Sequence, residues 1–469
     1  KKMKTTIIKN VLPVGLLAMA LAGCATRPPL ESAGPPVVNS YTGQDAGVAG
    51  AGQQVHMGQG AGQQWWQLLK APQIDALVRM ALDNNQDIAV ARANLARSAQ
   101  EAAAADGGFM PQISANGTVA RGYDVATGQL PHQIDGIYRI GPGLSYELPL
   151  FGLQQQTAAY GPALVARNAA ELDAVRLSVS GNVVLQALDI ASFTTQLDAL
   201  EQMIASDKDS LHVLTQANQA GAAPRLDVLS AQNQLDQDSV QLPVYREKLR
   251  HAQIALTILI GKLPAQWQAP DLQLDALTLP ATLPVALPSE LLRRRPDIVA
   301  TEASIAAAGA AVGIATSNLY PHINLTASMG GQGLLKGGGS GSFFDLLGGM
   351  TAPIFDGGSL KARQQAAQAG YQASLASYRG TVSAAFGQVA EAMYRLQTSS
   401  DKQAAQQQSL ASASALHELA WQGYRAGKTG YLRVLSGLRA QQQARLAYIE
   451  ASAQRYVASV TLLLASGAH

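Results

Sequence analysis

Apolar side chains recur every three or four residues over several long stretches of this chain, and that period predicts amphipathic helices. The clearest stretch lies at residues 359–426, which contain no proline, and its counterpart in the first half lies at about 155–219. Shorter helices are predicted at about 225–262 and 431–466. At 1.5 Å per residue the longest helices reach roughly 100 Å, about as far as two shorter helices placed end to end. These lengths predict a tall, mainly helical layer of even height.

A period of two replaces the helical period at about residues 111–150 and again at about 321–355. Each segment predicts a β-hairpin with apolar side chains on one face and polar side chains on the other. Strands of this kind are typical of membrane-spanning barrels, although a water-soluble hairpin has the same period. The strands of two hairpins are too few to close a barrel, and an open edge in lipid leaves backbone groups unpaired. A membrane role therefore predicts an oligomer.

The two hairpins belong to two copies of one unit. Asp87, Ile88 and Pro111 recur as Asp297, Ile298 and Pro321, all at an offset of 210, and GAAPRLDVLS at 221–230 recurs as GKTGYLRVLS at 427–436. Such copies pack on their neighbours to bury their apolar faces. Each copy predicts a helix, a hairpin, a long helix, a tight turn and a returning helix. The predicted segments are a first repeat at 64–262, a proline-rich linker at 263–290 and a second repeat at 291–466.

The first residues predict export from the cytoplasm. Lysines followed by a short apolar run predict a signal peptide at residues 1–23, since the run is too short to span a bilayer. The run ends in L-A-G-C, and Cys24 is the only cysteine of the chain. This ending resembles the bacterial lipoprotein signal, which implies a lipidated Cys24; a small buried cysteine after an ordinary signal is the alternative. Residues 24–63, rich in Gly, Gln, Ala and Pro, predict an extended tether.

Composition and motifs exclude several functions. The formal net charge of +2 gives no reason to expect nucleic acid. The seven histidines show no metal-ligand spacing, and the sequence contains neither a phosphate-binding loop nor a G-x-S-x-G nucleophile motif. We therefore expect no enzymatic activity, no cofactor and no metal. Any energy for transport has to come from a partner protein.

The start of the second repeat carries a family resemblance. LLRRRPDI at 291–298, followed by Glu302, Gly313 and YPHI at 320–323, resembles the outer-membrane factor family. Its lipoprotein branch provides the exit ducts of multidrug efflux pumps that work with resistance–nodulation–division transporters. The paired hairpins, the repeated GxxxxL turn and the L-A-G-C signal fit the same branch, and the resemblance covers nearly all of residues 60–466.

This resemblance implies an architecture and a function. It implies a homotrimer in which the hairpins form one 12-stranded β-barrel in the outer membrane, while the helices form a hollow α-barrel through the periplasm. It further implies passive export of small toxic compounds, with a periplasmic adaptor protein and an inner-membrane resistance–nodulation–division transporter as partners. A type I protein secretion duct has the same architecture and stays an alternative. A lipoprotein scaffold without a channel is the other.

The resemblance also implies roles for single residues. The turns at 221–226 and 427–432 would meet the adaptor at the periplasmic tip. The contacting residues would be Gly221, Leu226, Gly427 and Leu432. The neighbouring apolar residues are interpreted as helix-packing residues: Val228, Leu229, Val434 and Leu435.

A gate at the tip is the last expectation. Tyr424 and Arg439 match the gate tyrosine and arginine of the family, although an ordinary surface arginine is the alternative for Arg439. Ser436, like Ser230 in the first repeat, stands where relatives carry a ring aspartate. The chain therefore departs from the family's acidic constriction at this position.

Overall fold

The computed structural model describes residues 40–41, 53–58, 60–62, 64–124, 132–335 and 339–467. Cys24, the predicted signal peptide and most of the predicted tether lie outside the described residues. The chain divides into two compact units. The sheet unit includes Asn94–Ala169 and Ala300–Arg379, and the turn unit is made of Pro35–Ala93, Ala170–Val299 and Gly380–His469. Each unit therefore combines segments from both sequence repeats.

The sheet unit contains both hairpins. Strands β2 (Gln112–Asp124) and β3 (His132–Leu148) form the first, and β5 (His322–Leu334) and β6 (Ser340–Thr351) form the second. The described strands pair antiparallel into a 4-stranded sheet of order β2-β3-β5-β6. The alternation in the sequence thus correctly predicts both hairpins. The inner pair β3–β5 joins the two repeats, and β2 and β6 form the edges.

The register sorts the side chains of the sheet onto two faces. One face is apolar and highly exposed, with Ile140 63%, Phe344 67% and Met350 70% accessible to solvent. Paired positions share a face, so Ile113 opposite Leu144 and Met329 opposite Phe344 belong to it as well. The other face is mainly polar and carries Gln112, Ser114, Asn116, Thr118, Arg139, Ser145, Asn324, Thr326, Ser328 and Asp345. A sheet with one apolar exposed face is suited to an apolar solvent on that side.

Eight helices carry most of the remaining described chain outside the linker. Helices α1 (Pro72–Asn84) and α2 (Gln86–Gly107) precede the first hairpin, followed by α3 (Leu153–Gln219) and α4 (Arg225–Leu259). In the second repeat, α5 (Pro288–Arg294) and α6 (Pro296–Ser317) precede the hairpin, followed by α7 (Ser359–Arg425) and α8 (Tyr431–Ala465). The two long helices have the same length, 67 residues each, as expected for copies of one unit.

The helix predicted before the first hairpin is interrupted at Asn85. This residue has an extended backbone, with ψ of 134°. Its side-chain oxygen accepts hydrogen bonds from the backbone N–H groups of Asp87 (2.9 Å) and Ile88 (3.2 Å), which caps the start of α2. Its side-chain amide donates to the carbonyl of Leu259 at the end of α4 (2.9 Å). The break therefore fixes the chain to a second helix of the turn unit.

The stripe predicted on α7 is buried. Tyr371, Leu375 and Tyr378 pack in the sheet unit, where Tyr371 and Leu375 form an apolar cluster with Val312 of α6. Helix α6 is long and apolar enough to cross a membrane, with a mean hydropathy of 1.7. Part of its apolar surface packs against α7, through Val312. A helix in a protein core can be as long and as apolar as a membrane-spanning helix, so the hydropathy of α6 is explained by packing.

The linker and the end of the tether form a strand pair that the sequence pattern did not predict. Residues Gln54–Met57 (β1) pair in parallel with Thr282–Val285 (β4). Leu283 and Val285 are fully buried in the turn unit. Next to β1, the buried amide of Gln53 donates to the carbonyl of Pro280 (3.0 Å), and its oxygen accepts from Arg455 (2.9 Å). The linker thus packs along the helices and holds the described end of the tether.

The close approach of the two hairpins at Gly141 in β3 can be tested by substitution. A Cβ atom there would lie 1.9 Å from the carbonyl oxygen of Met329, whereas one on Gly117 of β2 meets nothing within 4 Å. We expect Gly141→Ala to destabilise the folded protein by about 1–3 kcal/mol, because backbone has to move, and Gly117→Ala to cost far less. Thermal unfolding in detergent, followed by circular dichroism, measures the difference. Equal melting temperatures for the two variants would contradict the β3–β5 register.

Candidate functional site

The two interhelical turns are built in the same way. Two residues after the end of each long helix stands a glycine with a left-handed backbone, Gly221 with φ of 75° and Gly427 with φ of 69°. In the second turn the N–H of Lys428 donates to the carbonyl of Gly423 (2.8 Å), which closes the long helix. A side chain at either glycine would meet nothing within 4 Å, so the backbone angle, and not space, requires glycine. The repeated sequence motif therefore encodes one sharp reversal twice.

Exposed leucines stand just beyond these glycines. Leu226 in the first turn is 60% exposed and Leu432 in the second is 55% exposed. Basic side chains are exposed beside them: Arg225, Arg425, Lys428 and Arg433. Each turn thus presents an apolar knob within a basic surface. More than half of each leucine is uncovered by its own chain, and this apolar surface is available to a partner.

The residues behind the turns form an apolar cluster. Tyr431, Val434 and Leu435 of α8 are buried against Leu214 of α3 and Ala231 of α4. Val228 is half-buried against the same cluster, in line with its interpretation as a packing residue. Leu229 is 55% exposed, so its interpretation as a packing residue was wrong. It lies on the solvent side of α4, one residue away from the packed stripe.

Tyr424 lies in this cluster rather than in solvent. Its ring is 6.0 Å from the ring of Trp421 and 5.8 Å from that of Tyr431, with an interplanar angle of 67° in the second pair. Burial, and then the negative charge of Asp227, raise the pKa of Tyr424 above its ordinary range. Burial also raises the pKa of the Asp227 carboxyl. The tyrosine is therefore a neutral packing group at the end of α7.

The other two gate candidates differ from each other. Ser436 is exposed on α8, and Ser230 donates its hydroxyl to the carbonyl of Leu226 (2.8 Å). Arg439 is half-buried, and its Nε donates to the side-chain oxygen of Gln234 on α4. Arg439 is therefore not an ordinary surface arginine, since it ties α8 to α4 within one chain. Tyr424 and Arg439 both lie within electrostatic range of Tyr431, whereas the side chain of Ser436 is exposed.

Sequence reasoning missed a buried polar network next to Arg439. Asp207 of α3, Asp238 of α4 and Gln442 of α8 are 2%, 4% and 5% exposed. The sequence of α4 does contain a pattern that could have predicted this network. Four residues are spaced by four, three and four: Asp227, Ala231, Gln234 and Asp238. This is the period of a buried stripe, and polar residues occupy three of its four positions. Such residues at buried positions point to a specific network.

A second set of charges lies on the polar face of the sheet. Arg139 of β3 forms a 2.7 Å ion pair with Asp345 of β6, and its guanidinium lies 4.1 Å from the ring centre of Phe343. The ring Nδ1 of His322 lies within hydrogen-bond distance of a Glu147 carboxyl oxygen, at 2.8 Å. No group of three or more potential metal ligands occurs among the described residues.

Comparisons with known proteins agree with this architecture. The sequence profile of the family described as outer membrane efflux protein matches residues 77–262 and 287–468. The chain is 30% identical to the outer membrane protein OprJ of Pseudomonas aeruginosa over 96% of this chain and 94% of that protein. It is 29% identical to the toluene efflux pump outer membrane protein TtgC of Pseudomonas putida, over 98% and 95%.

Solved structures show the same fold. The outer-membrane channel OprN superimposes with a TM-score of 0.86 over 95% of this chain and 99% of that one, at 24% identity. The Neisseria gonorrhoeae MtrE channel in its open state gives a TM-score of 0.81 over 95% and 98%, at 23% identity. The elements of both repeats therefore have the same fold as these two structures.

Proposed function

The chain belongs to the outer membrane efflux protein family, and we propose that its two turns receive the periplasmic adaptor of a tripartite efflux pump while its sheet contributes to the channel. The protein is an outer-membrane component of an efflux system, as its relative TtgC is. In this fold, three chains share one 12-stranded barrel. The adaptor and an inner-membrane resistance–nodulation–division transporter are the proposed partners.

The observation that carries the channel function is the unclosed sheet. Its edges β2 and β6 have no partner strand among the described residues, while its apolar face is exposed. Lipid excludes unpaired edges, so β6 of one chain has to pair with β2 of the next. Three copies close the sheet, with apolar side chains toward lipid and polar ones toward the lumen. A water-filled lumen with ion-paired arginines then allows passive diffusion.

An aromatic contact inside the chain supports the same junction. Phe151, after β3, stacks on Tyr320 before β5, with ring centres 5.2 Å apart and planes 11° apart. Phe355 holds the corresponding place after β6, where it is 91% exposed. The residues before β2 include Met110, which is 62% exposed. A neighbouring copy would bring its β2 and Met110 to β6 and Phe355, and would repeat the internal junction between chains.

The turns support adaptor docking for a similar reason. Leu226 and Leu432 are exposed apolar side chains, and each follows a turn in which a glycine has a left-handed backbone. Small apolar contacts of this kind, surrounded by basic side chains, fit a partner hairpin with apolar grooves and acidic edges. We also propose that Cys24 carries the lipid anchor, which the mass of the mature protein tests.

The junction between chains yields the first prediction about function. We expect Phe355→Ala to weaken the oligomer, since its ring is buried only between chains, so that the trimer dissociates at a lower temperature or detergent concentration. Phe151→Ala is the matched variant, because it removes the same ring inside one chain and should instead lower the unfolding temperature. Size-exclusion chromatography with light scattering measures the assembly. Loss of trimer by Phe151→Ala alone would contradict the proposed junction.

The channel yields the second prediction. The purified protein, reconstituted into planar lipid bilayers, should produce stepwise ion conductance without any added energy source. A passive pore explains such currents because three sheets enclose a lumen. A protein that inserts into the bilayer but shows no conductance under any voltage or pH would count against the channel.

The turns yield the third prediction. Replacing Leu226 and Leu432 together with Glu should abolish binding of the adaptor by burying charge in an apolar contact, and should leave conductance intact. Replacing both with Met keeps size and polarity and should preserve binding. Biolayer interferometry with purified adaptors of resistance–nodulation–division pumps measures the affinity. Undiminished binding by the Glu variant would remove the turns as the docking site.

A further inference from the structure

The buried network behind the turns contains a carboxylate pair that lacks a donor. Asp207 and Asp238 lie side by side, and Asp207 Oδ2 is buried without a hydrogen-bond partner when both groups are ionised. The amide of Gln234 donates to Asp238 Oδ2 (2.9 Å), and that of Gln442 reaches Asp207 Oδ1 (3.4 Å). One proton shared by the two carboxyls would satisfy the missing bond.

The pair and the neighbouring Gln442 connect three helices at about the same distance from the turns. Asp207 lies twelve residues before the end of α3, Asp238 thirteen after the start of α4, and Gln442 eleven after the start of α8. At 1.5 Å per residue, all three are about 17–20 Å from the turns. Gln234 also donates to Gln442 (3.2 Å) and accepts from Arg439. A chain of hydrogen bonds therefore connects the proposed gate arginine on α8 to α4 and to α3.

Apolar neighbours surround the pair and remove it from water. Met203 and Ile204 of α3 pack against Leu235 and Leu242 of α4 and against Leu446 of α8. Burial, followed by the hydrogen bond and the negative charge of Asp238, raises the pKa of Asp207 to about 7. The proton therefore leaves the pair near neutral pH.

The other ionisable groups near the pair come from three helices. On α8, the groups are Tyr431, which interacts electrostatically with Asp207, and the cation Arg439. On α4, the groups are Asp227, toward the turn, and Tyr245, on the opposite side. On α7, which contacts α8 at Gly437, the group is His417, whose Nδ1 is buried without a hydrogen bond. Arg439 only partly offsets two negative charges, because it reaches the pair through Gln234.

We propose that the shared proton of Asp207 and Asp238 is a latch that holds α3, α4 and α8 together behind the turns, and that its loss favours opening of the periplasmic end. With the proton bound, the pair carries one charge and every buried oxygen has a partner. Without it, two adjacent carboxylates repel each other in an apolar site. Separation of the helices then admits water to both groups and relieves the repulsion. This inference rests on the proposed channel function.

The sign of the pH effect follows from linkage. The closed state binds the proton more tightly than an open state with hydrated carboxyls of ordinary pKa. The latch is therefore complete at acidic pH and is lost as pH rises toward 7. Between about pH 5 and pH 7, one linked proton changes the open-to-closed ratio by up to tenfold per pH unit, and the ratio levels off above pH 7.

Asparagine substitution tests the latch directly. Asp207→Asn supplies a permanent donor to Asp238 and imitates the protonated state, so this variant should stay mostly closed from pH 5 to pH 8.5. Asp238→Asn places the donor on the other side of the pair and should give the same result. If one of the two variants fails to fold, the other still tests the latch. Asp209→Asn changes an exposed carboxylate on α3 and is the control. It should titrate like the wild type.

Bilayer conductance of the full trimer, recorded against pH, provides the readout. Infrared absorption of a protonated carboxyl, present in the wild type at pH 6 and absent from Asp207→Asn, provides a second one that does not depend on conductance. A conducting wild-type protein with no pH dependence, or an Asp207→Asn variant that titrates like the control, would overturn the latch and leave the channel standing. Lack of conductance by all variants at every pH would overturn the channel function instead.

Discussion

Backbone hydrogen bonding at the edges of the sheet is the constraint on which the rest of this structure depends. In lipid, an unpaired N–H or carbonyl group costs several kcal/mol, so a sheet either closes or stays out of the membrane. Strands β2, β3, β5 and β6 cannot close alone. The exposed apolar face and the exposed Phe355 are consistent with a chain whose partner surface is another copy of itself. In the proposed trimer, the β6–β2 junction between chains repeats the β3–β5 junction within one chain, so the duplicated sequence serves both.

The same repetition also determines the structure of the two interhelical turns. Gly221 and Gly427 take the left-handed backbone that reverses the chain, and an exposed leucine follows each of them. Behind the turns the copies diverge. The second turn packs the rings of Trp421, Tyr424 and Tyr431 together in tilted and edge-on contacts, whereas the first turn places Asp227 close to that cluster. The two copies therefore share their turn geometry and differ in the side chains packed behind the turns.

Periodicity explains how much of this could be predicted from the sequence. A period of two between residues 111 and 150 predicts the first hairpin, and the stripe containing Tyr371 and Leu375 predicts the buried face of α7, because each signal is local. The pairing of Gln54–Met57 with Thr282–Val285 has no local signal, since both segments lack a period and their partners are distant in the chain. The break at Asn85 depends on a side-chain cap within an otherwise continuous helical pattern. Asp207 and Asp238 were missed because a charged residue normally indicates a solvated face.

Oligomer formation is the central claim, because the channel exists only if several chains share the barrel. The most direct test is the mass of the assembly released from the membrane, measured by native mass spectrometry in detergent. We predict a single species with three times the mass of the mature chain. A monomer that remains folded and membrane-inserted, with the edges of its sheet unpaired, would contradict the account.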